Sequence, residues 1–419
     1  MLNGVVGNGA RTAVRVLAVV AVTVIITVVF DQVRSVNPID WVVYRYGSAG
    51  AWRGEDIYAA GLRGALIGQP DGMPFTYPPF AAIVLWPTNL FGMTLGATVW
   101  TALSVLLVLA LVHLSVPANV ARRDLMVAIA WIAACATTVV SIHLSFGQIN
   151  LLLAVLVVAD IGRSDRVLAF LPRGVLVGLA AAIKLTPLVF FAYLAGTRQW
   201  RTLGAATVTF GGAAAVAFAI APRMSMTFWT DSLWHLDSTV ALGAGLGTPS
   251  NSSLTGLFVT IGLPGAVATA ILGIVAVLGA WAALRVYRIR GHLAGVVVAG
   301  IVGCLISPVS WIHHWVFLIP AAILVAADRR WAARGAVVSA TVVAIVTWPR
   351  AGDRLLDGHD VWLHPLGWAI REMLIGMGIA AVVALLYPPR QTAAEVSAAS
   401  SSRTRGSTLA PKYSISSWK

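Results

Sequence analysis

The stretch Gly174–Ala195, GVLVGLAAAIKLTPLVFFAYLA, decides how this chain is read. Basic clusters flank it: Arg163/Arg166/Arg173 before and Arg198/Arg201 after. Cations collect on the cytoplasmic side of membrane helices, so the segment returns to the side it left. One crossing takes about 20 apolar residues, and the whole excursion runs only from 174 to 195. Its middle holds Lys184-Leu-Thr-Pro187, and proline removes a helical hydrogen bond there. The pattern predicts a short apolar hairpin with a polar break at its tip.

The rest of the chain has the same character. Of 419 residues, 58% are hydrophobic and 11% are charged, with a mean hydropathy of +0.85. A soluble domain carries about a quarter charged residues. Apolar runs recur from Val14 to Tyr387, which predicts an all-α polytopic membrane protein with no separate soluble module. Residues 1–390 form the transmembrane domain, and the Ser-, Ala- and Thr-rich 391–419 reads as a disordered cytoplasmic tail. The run Val14–Phe30 lies beside Arg11 and Arg15. It is long for a signal peptide and no A-x-A site follows, so it reads as a retained helix. Cys135 and Cys304 both lie in apolar runs and read as core residues rather than a disulfide framework. The net charge of +13 is dispersed in short clusters between apolar runs, which excludes a nucleic-acid footprint.

Sidedness then fixes a path. The basic clusters Arg122/Arg123, Arg285/Arg288/Arg290, Arg329/Arg330/Arg334 and Arg390 go inside. Loops rich in Asp40, Glu55, Asp56, Asp71, Asp231, Asp237, Asp353, Asp357 and Asp360 go outside. Helix 12–30 carries the chain out to an external loop, 31–76. Segments 77–115, 125–144, 148–161, 204–221, 256–283, 332–348 and 366–387 read as spans, and 174–195 and 294–327 as short hairpins. The total is about twelve crossings with both termini cytoplasmic and no internal repeat. Pro78-Pro79 and Pro87 predict a broken piece ahead of a long helix in 77–115. Three polar breaks fall at helix tips near the outer leaflet: Gln148/Asn150, Lys184/Thr186 and Trp311/His313/His314. Non-helical backbone at membrane depth is tolerated around a cavity or inside protein, so these breaks and the 31–76 loop are expected to line one recess.

Several residues in that recess carry chemistry. Asp56 sits in Ala51-Trp-Arg-Gly-Glu-Asp-Ile-Tyr58, and Trp52, Tyr58 and Tyr77 offer flat faces for sugar rings. A carboxylate there suits a general base; the plain alternative is a solvated or capping acid, and Glu55 competes for the role. Lys184 in an apolar hairpin suits a lipid-linked phosphate, or it snorkels to the interface. In His313-His314 the rings point about 100° apart, which disfavours chelation of one metal ion. One imidazole suits a phosphate or sugar hydroxyl while the other packs. Gln148, Asn150 and Asn251 offer amides to a hydroxyl-rich ligand, or satisfy helix ends, and Trp311 offers a further sugar-stacking face. Arg45, Arg53 and Arg63 meet an anionic headgroup or balance nearby carboxylates.

Asp56-Ile-Tyr58, Phe75-x-Tyr-Pro-Pro79, Phe146-Gly-Gln-Ile-Asn150, Ile183-Lys-Leu-Thr-Pro187, Asn251-Ser-Ser-Leu-Thr-Gly256 and Ser307-Pro-Val-Ser-Trp-Ile-His-His314 occur in this order. Together they resemble the polyprenyl-phosphate-mannose-dependent mannosyltransferases of actinobacteria, integral enzymes of the glycosyltransferase C class, over roughly 12–387. The resemblance implies a polyprenyl-phosphate-mannose donor and a phosphatidylinositol mannoside acceptor, extended by α-1,2 transfer from tetramannoside to pentamannoside. Relatives that branch lipomannan and lipoarabinomannan use the same toolkit. It also implies a first-loop aspartate as base, falling on Asp56, a site facing the periplasm from the plasma membrane, and no obligatory metal or other cofactor. A lipid or sugar transporter is the alternative of another class; against it, the acids cluster in loops and no inverted repeat is visible. A leaving group that is a lipid monophosphate makes little demand for a divalent ion. Turnover in excess EDTA is expected to persist, and abolition restored by one divalent ion contradicts that reading.

Overall fold

A computed structural model describes residues 16–28, 38–58, 73–120, 122–163, 170–235, 246–248, 251–328, 355–356 and 361–387. Among these the regular structure is helical, and one isolated bridge pairs Asn251 with Trp311. The expected span 332–348, the tail and Arg63 lie outside the described residues. Two short helices open the described chain, α1 (Val16–Val28) and α2 (Ile39–Trp52). After them α3 (Pro79–Val84) and a 3-10 turn, Trp86–Asn89, precede α4 (Met93–Ser115). The broken piece expected from Pro78-Pro79 and Pro87 is thus present, with Pro79 at a helical start where a missing N–H costs nothing.

Three helices are long and apolar enough to cross a bilayer: α4, α10 (Trp200–Ile220) and α13 (Gly265–Arg290). Two bent pairs raise the number to five: α5 (Arg123–Cys135) with α6 (Thr138–Phe146), bent by 65°, and α16 (His364–Arg371) with α17 (Met373–Leu386), bent by 64°. These three to five candidates among the described residues fall short of about twelve crossings. The remaining helices are short: α7 (Asn150–Ile161), α8 (Val175–Ile183), α9 (Val189–Gly196), α11 (Pro222–Thr230), α12 (Leu254–Thr260), α14 (His292–Ile306) and α15 (Leu318–Ala327), of which α8 with α9 and α14 with α15 fall in the two expected hairpins.

Helix α14 is the axis of the core, with Gly295–Ile301 buried throughout. Close approaches elsewhere use glycine. A Cβ on Gly174 or Gly178 would lie 2.0 Å from Thr202 O or 2.4 Å from Ala206 O, so α8 and α10 meet backbone to backbone. Such small-residue spacing is how helices associate without a hydrophobic drive between them. At the end of α13, Arg290 bonds Asp328 at 2.8 Å and the Leu385 and Tyr387 carbonyls, so three segments share one buried cation. Cys135 is buried, Cys304 half-buried, and both are free thiols.

Gly147 sets the approach of α2 to the bundle. It ends α6 at φ +68°, and a Cβ there would lie 2.7 Å from the Cβ atoms of Pro38 and Trp41. The left-handed conformation alone costs an L residue roughly 1–2 kcal/mol, before any clash. Gly147→Ala is expected to lower the thermal midpoint in detergent by several degrees and to cut activity. An unchanged midpoint by fluorescence-detected size exclusion overturns that reading.

Candidate active site

Four breaks in the helices deliver the polar side chains. The first is the start of α2, where Pro38 precedes the helix and Asp40 occupies its first turn. A carboxylate is favoured there by the helix dipole. Asp40 and Tyr44 are four residues apart and share a helix face. The second break is Gly147-Gln148-Ile149 between α6 and α7. His143 accepts the Leu151 N–H on Nε2 at 3.0 Å, capping the start of α7, so a histidine that drew no functional reading is a buried structural one. That turn buries Gln148 and Asn150.

The third break is Lys184. Pro187 would clash with the carbonyl of Ile183, four residues back; α8 ends at Ile183 and Lys184 is extended at φ −147°, ψ 138°. Its ammonium donates to Asn150 Oδ1 at 2.9 Å, meets His314 Nε2 at 3.3 Å and lies 5.3 Å from the Tyr77 ring centroid. The fourth is the 3-10 turn Ile312–Phe317. It sets the His314 ring perpendicular to that of His313, with centroids 4.8 Å apart. His313 is buried against Phe146, and among the described residues neither of its ring nitrogens has a hydrogen-bond partner.

These groups form one directed network. Gln148 donates to Asp40 and accepts on Oε1 from Tyr44 OH and from Asn150 Nδ2, both at 3.3 Å. Asn150 also donates to His313 O at 3.3 Å, which leaves its Oδ1 toward Lys184. Tyr44 and Tyr77 hydroxyls are 3.0 Å apart. Each amide thus has its oxygen toward donors and its nitrogen toward acceptors, a consistent assignment of both. Beside this network opens a cavity of about 240 Å³. Asn150, Thr186, Ser307, Ser310 and His314 contribute polar groups to its lining, and Leu153, Val157, Phe190, Val316 and Phe317 are among the residues that make it mostly apolar.

The network unites Lys184, Gln148, Asn150, Tyr77, His313 and His314 from the sequence-derived set. The other members fare differently. Asp56 is half-buried at the rim: its carboxylate accepts from Thr227 Oγ1 at 2.6 Å and from Tyr58 N at 3.2 Å. Glu55 is paired with Arg53 in an exposed bridge at 2.6 Å. Its hydrogen bond to that guanidinium holds its carboxyl below the usual range, and of the two acids only Asp56 turns inward. Trp52 donates to Ile83 O at 3.3 Å, with its ring about half exposed. Asn251 is committed to backbone. It donates to Leu246 O and Pro308 O and accepts from Ser310 N, so its amide fastens the Ser307–His314 turn instead of facing a ligand. Trp311 pairs with it as the bridge partner. Arg45 donates to the Thr88 and Phe91 carbonyls and fastens α2 to the turn after α3, with no carboxylate partner among the described residues.

Sequence reasoning missed Asp40, Tyr44 and Thr227. The available signal for the first two was an acid right after proline, four residues before a tyrosine, at the start of the first loop's helix. Thr227 carried none, since its contact spans 171 positions.

The described residues define a helical membrane protein in which a lysine, two amides and two imidazoles converge beside a mostly apolar cavity. Residues 75–308 match glycosyltransferase family 87. The chain is also 32% identical over 407 residues, 90% of each chain, to the polyprenol-phosphate-mannose-dependent alpha-(1-2)-phosphatidylinositol mannoside mannosyltransferase of Mycobacterium tuberculosis. It therefore belongs to glycosyltransferase family 87, which sets the transporter alternative aside. The enzyme of the same name in Mycolicibacterium smegmatis is 33% identical over 74% of this chain and 75% of that one. The alpha-(1-2)-phosphatidylinositol pentamannoside mannosyltransferase of the same organism is 29% identical over 59% of this chain and 60% of that one. Among solved structures, ArnT from Cupriavidus metallidurans bound to undecaprenyl phosphate matches with a TM-score of 0.46 and 18% identity, covering 88% of this chain and 76% of that chain.

Helix α2 is too short to cross a bilayer, and Asp40 lies at its first turn. Burial pushes the Asp40 carboxyl up to about 6, opposed by the Lys184 charge and the Gln148 hydrogen bond. A reaction that needs this group as carboxylate loses kcat/KM as pH falls through about 6. Gln148→Ala removes a bond that favours the ionised form, so its acidic limb is expected at higher pH than in the wild type. A limb that does not move overturns the coupling.

Proposed function

We propose that this protein transfers mannose from polyprenyl-phosphate-mannose to the 2-hydroxyl of a phosphatidylinositol mannoside, by one inverting step at the outer face of the plasma membrane. The observation that carries the reading is a half-buried ammonium, Lys184, held by Asn150 and His314, which both line a mostly apolar cavity. A prenyl phosphate is a singly linked anion on a hydrocarbon chain, and this site offers a cation to the one and a dry wall to the other. The activities for which the relatives are named support the donor, the α-1,2 linkage and the acceptor class. Tetramannoside as the acceptor and pentamannoside as the product are what the family resemblance implies.

In this mechanism the acceptor oxygen attacks the anomeric carbon of a β-mannosyl phosphate from the face opposite the phosphate. The bond from that carbon to the phosphate oxygen breaks, the phosphate leaves with the electron pair, and the product is the α-linkage. Lys184 and the His314 imidazole meet the charge that grows on the phosphate, in a setting where fixed dipoles act more strongly than in water. The acceptor proton passes to a first-loop carboxylate. Asp56 holds this role by resemblance; the geometry supports Asp40, because its carboxylate shares the Gln148 bond and the field of Lys184, whereas Asp56 is bonded at the rim. A general base contributes about 10²–10⁴ in rate.

Asp40→Asn is expected to fold, bind donor and lose transfer by that factor. Loss of the same size in Asp56→Asn, with Asp40→Asn active, returns the base to Asp56. Lys184→Ala is expected to raise the apparent KM for donor far more than for acceptor; an unchanged donor KM removes the phosphate role. Cells lacking the chain are expected to accumulate a phosphatidylinositol tetramannoside by mass spectrometry, and an unaltered mannolipid profile overturns the assignment.

A further inference from the structure

Asp56 has a defined setting that proton transfer at Asp40 leaves unused. One carboxylate oxygen accepts the Thr227 hydroxyl of α11 at 2.6 Å, and the other accepts the Tyr58 amide at 3.2 Å. The Tyr58 hydroxyl donates to Tyr77 O at 2.6 Å, and the Tyr77 ring carries Lys184 at 5.3 Å. The Tyr58 ring rests on Phe228 of α11, with centroids 5.1 Å apart. Asp56 is therefore tied through the Tyr58 side chain to the backbone of Tyr77, whose ring lies beneath the donor-side cation. It is half-buried, and an aromatic wall stands beside it.

We propose that Asp56, positioned by Thr227, is the specificity carboxylate of an acceptor-sugar subsite. It accepts hydrogen bonds from the hydroxyls next to the nucleophilic one on the acceptor's terminal mannose. This rests on the mannosyl-transfer reading above and on Asp40 as its base. In an in-line displacement the phosphate, the donor mannose and the acceptor sugar lie in sequence, with the cation at the phosphate end. A sugar that presents its 2-hydroxyl at the donor carbon carries its 3- and 4-hydroxyls onward, away from that end. A carboxylate fixed beyond the Tyr77 backbone, away from the cation, meets vicinal hydroxyls there, and an ionised acceptor oxygen gives the stronger kind of hydrogen bond. An aromatic face beside it takes the apolar side of the ring. Thr227 touches no substrate in this account. It holds the carboxylate rotamer and ties the first loop to α11.

The test is a cycle between enzyme and acceptor. Wild type, Asp56→Asn, Thr227→Val and Thr227→Ser are assayed with a mannoside acceptor and with its 3-deoxy and 4-deoxy analogues, each variant checked for monodispersity. The wild type is expected to use at least one deoxy acceptor roughly tenfold to a hundredfold less well, the range of one hydrogen bond to a charged group. Asp56→Asn and Thr227→Val are expected to raise the KM for the full acceptor and to lose that discrimination, with donor KM unmoved and Thr227→Ser restoring both. Discrimination retained in Asp56→Asn overturns the subsite. A collapse of kcat in Asp56→Asn with loss of the acidic limb, and no change in acceptor KM, also overturns it by making Asp56 the base. Failure of the wild type to transfer mannose to any mannoside would instead defeat the underlying function.

Discussion

The structure turns on one charge held where charge is costly. An ammonium inside an apolar bundle must be paired or hydrogen-bonded, because its desolvation penalty is several kcal/mol even after relaxation. Lys184 satisfies that demand with a carbonyl-type oxygen from Asn150, an imidazole nitrogen from His314 and the face of Tyr77. None of these is a close salt-bridge partner. The arrangement holds the cation yet leaves it weakly neutralised, which suits a group that must receive an anion.

The broken helices follow from the same demand. A straight helix spends its backbone polar groups on itself and presents side chains at fixed angles. Ending α6 at Gly147, α8 at Ile183 and α14 at Ile306 opens turns, and from those turns Gln148, Asn150, Lys184 and His314 converge. The turns are themselves secured. His143 caps α7, and Asn251 with Ser253 fastens the turn that holds the histidines. Much of the polar inventory that reads as catalytic in the sequence therefore works as backbone support.

Two carboxylates of the first loop divide by environment. Asp40 is drawn into the interior network by Gln148 and Lys184. Asp56 stays at the rim, bonded across 171 positions to a helix that packs beside the loop. Two acids in unlike surroundings are suited to different tasks, and that difference separates proton transfer from recognition in the mechanism argued above.

The chain's own order of residues determines the class of fold. The dispersed arginines, the apolar runs and the prolines at Pro79, Pro87 and Pro187 encode a helical membrane protein with interrupted helices, because those are local constraints on solvation and backbone geometry. Lys184, Gln148, Asn150 and the histidine pair were legible as site residues for the same reason, each being a polar group at an apolar break. What tertiary structure decided was partnership. Asp40 looks like any helix-start acid until α2 is packed on Gly147, and Asn251 looks like a ligand until its three hydrogen bonds to Leu246, Pro308 and Ser310 are seen. Contacts between residues far apart in the chain depend on how helices meet, and local sequence carries no record of that.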